Sequence, residues 1–141
     1  MAHRWGKEAL AKAPPVFGNA IPKAGSHLLI QVLQGLTEVG PFVNPGFPPV
    51  NRFEDNSKLD IPDWLNELKT MGSGEIRYGY TNCVEPFIEP ITAPGRASVF
   101  IYRDPRDLCV SLVFYATKMH AGHHMHEYFN NELSTMEERL N

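Results

Sequence analysis

Apolar residues fall along this chain in short continuous runs and in runs of helical spacing. "VFGNAI", 16 to 21, is nearly continuous and suits a buried strand, with Gly18 implying close approach by a neighbour. After the loop "PKAGS", Leu29, Val32, Leu33, Leu36 and Val39 recur at helical spacing, and Gly40-Pro41 stops that helix. Residues 41–60 are rich in Pro, Asn, Gly and Asp and read as one long loop. "PDWLNELKTM", 62 to 71, predicts a short helix with Pro62 near its first position. "GEIRYGY", 74 to 80, predicts a short strand, and "VEPFIEPIT" a broken helix, since Pro86 and Pro90 interrupt it. "ASVFIYR", 97 to 103, is the strongest strand signal, apolar enough for a parallel strand covered on both faces. Asp104 as N-cap, Pro105 at N1 and Asp107 at N3 then start a helix whose face is Leu108, Leu112, Tyr115 and Met119. Residues 1–13 form a short helical lead ended by Pro14 and Pro15, and the polar tail after 119 holds helix near its end.

Strand, tight loop and helix thus occur twice, over 16–39 and 97–119. That order predicts an α/β fold with a parallel sheet flanked by helices. Ligands of such sheets bind outside the carboxyl ends of the strands, so Lys23 and Arg103 are expected to point at one crevice there.

Length and charge narrow the picture. The 141 residues are expected to form a single domain, and 43% hydrophobic residues supply a core. A net charge of −3 gives no global basic field, so no nucleic-acid partner is expected, although a local basic pocket remains open. Cys83 and Cys109 make no disulfide framework and point to a reducing compartment. The first residues lack the apolar run of a signal peptide, and no stretch approaches the ~18 apolar residues of a membrane span. A soluble cytoplasmic protein without membrane association is expected.

The two loops carry the candidate chemistry. A nucleoside-triphosphatase loop reads Gly-x-x-x-x-Gly-Lys-Ser/Thr, but here Lys23 precedes Gly25. Gly25 lets the backbone approach an anion, residues 24–28 offer the free N–H groups of a helix start, Ser26 adds a hydroxyl and Lys23 a charge. The plainer reading is a turn with an exposed lysine. In the second loop Arg103 ends a strand read as buried, where a charge needs a partner and a guanidinium can grip phosphate bidentately. Ser111 lies two helical turns on. The plainer reading pairs Arg103 with Asp104 or Asp107 and leaves Ser111 as an ordinary helix serine.

Together, "PKAGSHLL" and "YRDPRDLCVS" closely resemble the two cofactor motifs of sulfotransferases that use 3′-phosphoadenosine 5′-phosphosulfate (PAPS). The first resembles that family's 5′-phosphosulfate loop, the second its 3′-phosphate motif, in the family's order, over roughly residues 16 to 119. The resemblance implies a P-loop-like three-layer architecture and in-line sulfuryl transfer to a hydroxyl or amine of a small-molecule or glycan acceptor. It implies no metal. Carried over by position, Lys23 binds the 5′-phosphosulfate and supports charge on the leaving phosphate. Ala24, Gly25, Ser26 and His27 line that group, and Arg103 and Ser111 hold the 3′-phosphate. Asp104, Pro105, Arg106 and Asp107 match the motif and are assigned to capping and packing.

Two departures stand out. Many relatives place a histidine base after the strand between the motifs, whereas "IRYGYTN" offers Tyr80, a poor base at neutral pH unless its environment shifts it. Glu75 and Glu85 are carboxylate alternatives, and Tyr80 as a packed strand-end residue is the plainer reading. The family's domains also continue past a point corresponding to "STMEERLN", so an incomplete C-terminal part is expected. His120, His123 and His124 fall at one-face helical spacing with His126 close by, but Gly122 weakens a helix there and no complete metal-ligand set is visible, so a solvated loop or helix end is expected. Phe42, Phe47 and Phe53 either line an apolar acceptor pocket or anchor the 41–60 loop; Trp64, with Leu65 and Leu68, reads as core or lid packing. The alternatives to an enzyme of this kind are a degenerate nucleotide-binding module and a kinase-like phosphoryl-transfer domain. Against the latter stand the absent Walker lysine and the lack of a clear Mg²⁺-holding aspartate after an apolar strand.

Overall fold

The computed structural model describes residues 2–43, 49–53, 55 and 57–140, with the backbone alone for 2 and 3. The chain divides into two compact units, residues 1–102 and 103–141.

The first unit is mixed α/β. Helices α1 (Ala2–Trp5) and α2 (Lys7–Lys12) form the lead. Strand β1 (Val16–Ala20) follows, then α3 (Ser26–Val39), α4 (Ile61–Lys69), β2 (Ile76–Gly79), α5 (Ile88–Thr92) and β3 (Ala97–Ile101). The three strands form a parallel sheet in the order β2-β1-β3. β1 is central and buried at every residue. Its side chains alternate between faces, as a strand's must. Val16 and Ala20 pack with Leu29 and Leu33 of α3, whereas Phe17 packs with Leu68 of α4, Ile91 of α5, Val50, Met71 and Phe87. Helices therefore cover both faces of β1. Gly18 is what lets α3 lie so close: a Cβ there would stand 2.5 Å from Leu33 Cδ1 and 3.2 Å from Leu29 Cδ2.

The sheet departs from expectation at β3. The most apolar strand of the chain is not covered on both faces: Ser98, Val99 and Phe100 are exposed, Phe100 to 46%. Among the described residues β3 pairs on one side only, with β1, while the doubly covered position belongs to the strand that carries Gly18 and Asn19.

Val43 and Val50 of the 41–60 loop bond along the outer edge of β2. Val43 donates to Gly74 O and accepts from Ile76 N, each at 2.8 Å, and Val50 N donates to Tyr78 O at 2.9 Å. Phe42 packs on the α3-face cluster, which is the anchoring role, and Phe53 is exposed. Phe47 lies outside the described residues. Asp60 caps α4 by accepting from Asp63 N at 3.1 Å, and Trp64 meets Phe87 in a tilted ring contact with centroids 4.4 Å apart.

In the second unit, α6 (Pro105–Phe114) runs into a π-helical turn (Tyr115–Met119), followed by α7 (His126–Asn131) and α8 (Met136–Leu140). The expected face of Leu108, Leu112, Tyr115 and Met119 is not the buried one. Val113, Ala116 and Thr117 are buried, Val113 and Ala116 pack with Phe129 of α7, and Met119 is 76% exposed. The widened π turn shifts the helical phase from Tyr115 onward, so a 3.6-residue wheel misplaces Met119. No helix among the described residues is long and apolar enough to cross a membrane.

Candidate functional site

The first candidate loop leaves the carboxyl end of β1 and enters α3. Ile21 O accepts from Ala24 N at 3.0 Å, closing a tight turn over Pro22 and Lys23. Lys23 has a left-handed backbone, φ 69°, the one such non-glycine among the described residues. Such a conformation is sparsely populated for a residue with a Cβ and concentrates at functional sites. Gly25, at φ 109° and ψ 38°, is the N-cap of α3, and no side chain caps the helix there. Left-handed residues next to unspent helix N–H groups are the ingredients of anion-binding concavities. Ile101 Cδ1, at the end of β3, would lie 3.4 Å from a Cβ on Gly25.

Around this turn Ala24 is buried, Lys23 and Ser26 are half-buried, and His27 is exposed on the first turn of α3. Burial pushes the Lys23 ammonium below its ordinary value of 10.5. The five residues read as the phosphosulfate loop are thus brought together with a cation, a hydroxyl and an open helix start.

Tyr80 follows β2 at the same carboxyl end of the sheet. It is half-buried against the α3-face cluster and meets Tyr78 edge-on at 6.3 Å. Glu75 stands at the other end: it precedes β2, pairs with Arg77 and accepts from Gly72 N at 2.9 Å. That position removes Glu75 as a base beside the loop. Glu85 is exposed in the segment after β2.

One feature of this edge was not read from the sequence. The Asn19 side chain accepts from Thr81 N at 2.9 Å and donates to Thr81 O at 3.0 Å. Both residues are buried, at 3% and 6% exposure. The signal was an amide side chain inside the apolar run "VFGNAI", where an unpartnered polar group would be costly.

In the second unit, Asp104 caps α6 by accepting from Arg106 N at 2.9 Å, and the Arg106 guanidinium closes on the same carboxylate at 3.0 and 2.7 Å. These donors hold the Asp104 carboxyl below its ordinary value. Arg106 is therefore spent on the cap. Arg103 is not the terminal residue of a buried strand. β3 ends at Ile101, and the Arg103 side chain is 44% exposed with Nε 3.8 Å from Asp107 Oδ2. Burial does not demand its partner, and 3.8 Å is an ion pair without a hydrogen bond. Ser111 is half-buried within α6.

The histidines do not share a helix face. His120 to His124 lie in turns between the π-helical turn and α7, where the rings of His123 and His124 stack at 4.5 Å and Tyr115 meets His120 at 5.4 Å. Among the described residues no group of three or more His, Cys, Asp or Glu is placed to hold a metal ion.

In comparison with known proteins, no family model matches the chain, and neither a curated protein nor a solved structure does.

Proposed function

We propose that this chain is a sulfotransferase-type domain of P-loop-like architecture, which transfers a sulfuryl group from PAPS to a hydroxyl or amine. The observation that carries the reading is the loop between β1 and α3. A left-handed lysine, a left-handed glycine and an uncapped helix start follow one another there, with the lysine ahead of the glycine. That arrangement suits a sulfated monophosphate, and its sequence resembles the PAPS loop.

PAPS, when bound, supplies the activated sulfuryl group and leaves as 3′,5′-ADP. Lys23 offers its ammonium to the 5′-phosphosulfate and to charge developing on the leaving phosphate oxygen. The peptide N–H groups of 25–28 and the Ser26 hydroxyl orient the same group, with Ala24 and His27 lining it. Arg103 and Ser111 take the 3′-phosphate as charged and neutral donors. An acceptor proton must leave as the new bond to sulfur forms, and Tyr80, the nearest match to the family's base, is proposed to handle it. The exposed thiols of Cys83 and Cys109 fit a reducing, cytoplasmic setting.

A second reading has one observation in its favour. Tyr80 is packed against the core cluster, and no histidine stands in its place, which fits a module that grips the nucleotide without turnover. Transfer of labelled sulfate from PAPS to a panel of phenols, sugars and amines, without added Mg²⁺, separates the two. Transfer that stops in Lys23→Ala supports the enzyme. Nucleotide binding without transfer supports the module, and transfer that requires Mg²⁺ speaks for phosphoryl-type chemistry instead.

A further inference from the structure

The last rung of the β1–β2 ladder pairs Asn19 with Gly79. Beyond it the two backbones part: β1 turns into the Lys23 loop, and β2 continues through Tyr80 to Thr81. The Asn19 amide then bridges the gap. It presents one donor and one acceptor to the N–H and C=O of a single residue, Thr81, at 3.0 and 2.9 Å. This is what a neighbouring strand's peptide would do, so the side chain adds a surrogate rung where the main chain has left. Tyr80 is thereby pinned on both sides, by the ladder at Gly79 and by the clasp at Thr81. On the other strand, Asn19 stands two residues before Ile21, whose carbonyl closes the Lys23 turn.

We infer that Asn19 is a positioning residue. Its clasp on Thr81 fixes where β1 leaves the sheet, and so sets the Lys23 loop and Tyr80 relative to each other at the donor site. The inference rests on the sulfotransferase reading for what that setting serves, but not for the clasp itself. Burial makes the clasp exclusive, because water cannot replace either bond without opening the strand ends. Asn19→Ala leaves both Thr81 groups without a partner in a buried place, and the strand ends must then shift to find one.

The test uses the whole chain and two readouts. Amide hydrogen exchange reads the loop without any ligand: in Asn19→Ala the Ala24 amide exchanges about tenfold faster or more, while Phe17 and Gly18 inside the ladder keep their protection. Calorimetry with 3′,5′-ADP reads the site: affinity falls about tenfold in Asn19→Ala, with little further loss when the substitution is made in Lys23→Ala. Leu68→Ala, which opens the core around Phe17, reports general destabilisation and leaves both readouts in place. Should Asn19→Ala not fold, Asn19→Asp, which keeps the acceptor and loses the donor, is read in its stead. Unchanged exchange at Ala24 overturns the inference, and so does an affinity loss that adds in full to that of Lys23→Ala. If the unmodified chain ignores 3′,5′-ADP, the cofactor reading falls, while the exchange rates still decide the role of Asn19.

Discussion

At the scale of single residues, Lys23 carries two costs. Its backbone is left-handed, which a side chain with a Cβ resists by about 1–2 kcal/mol. Its ammonium is partly withdrawn from water, which lowers its pKa. Both are tolerated in a short turn that leads to an uncapped helix. Two substitutions separate them. Lys23→Ala and Lys23→Gly both remove the charge, and both should weaken 3′,5′-ADP binding. Glycine accepts φ 69° without strain, so Lys23→Gly should be the more stable variant by about 1 kcal/mol in urea unfolding. Equal stabilities would mean that the backbone there is not held left-handed. The placement of a lysine before the glycine was plain in the sequence, since it broke the triphosphatase pattern. Its backbone conformation was not, because nothing local marks a lysine for the left-handed region.

At the scale of elements, β1 and α3 depend on the absence of a side chain at Gly18. Gly18→Ala drives a methyl to 2.5 Å from Leu33, which is only 1% exposed and has nowhere to turn. A loss of about 1–3 kcal/mol is expected in denaturant unfolding, with α3 displaced. Asp60→Ala removes the cap of α4 and should cost about 1 kcal/mol by the same measurement. Close approach at Gly18 and the capped start at Asp104 were legible, because each follows from the chemistry of one residue. The exposure of β3 was not. Apolarity shows that a strand is suited to burial, but strand order decides which strand receives it, and order is a long-range property. The exposure of Met119 was hidden too: the π-helical turn over Tyr115–Met119 shifts the phase there, and the spacing of apolar residues gives no sign of it. The short α8 shows the reverse. Thr135 and Glu138 form a reciprocal cap, with Thr135 Oγ1 accepting from Glu138 N and the Glu138 carboxylate accepting from Thr135 N, and a Thr-x-x-Glu spacing announces that locally.

At the scale of the whole molecule, an overall charge of −3 gives no general attraction for a nucleotide, so binding must come from a few placed cations. Lys23 supplies a pH signature for that. The ammonium must be protonated to hold a phosphate, and burial lowers its pKa from the ordinary 10.5. A bound anion favours the protonated form, so binding takes up a proton as the free lysine begins to lose its own. Affinity for 3′,5′-ADP should therefore fall in the alkaline range, starting below 10.5, and Lys23→Ala should lack this fall.

The most direct measurement is calorimetric titration of the chain with 3′,5′-ADP, with 5′-AMP as control, repeated for Lys23→Ala and Arg103→Ala. The proposed site predicts binding that needs the 3′-phosphate. It also predicts that each substitution weakens binding by about 1.5–3 kcal/mol, the usual worth of a hydrogen bond to a charged group. A folded chain that binds 3′,5′-ADP no better than 5′-AMP, or binds it equally well without Lys23 and Arg103, would contradict it.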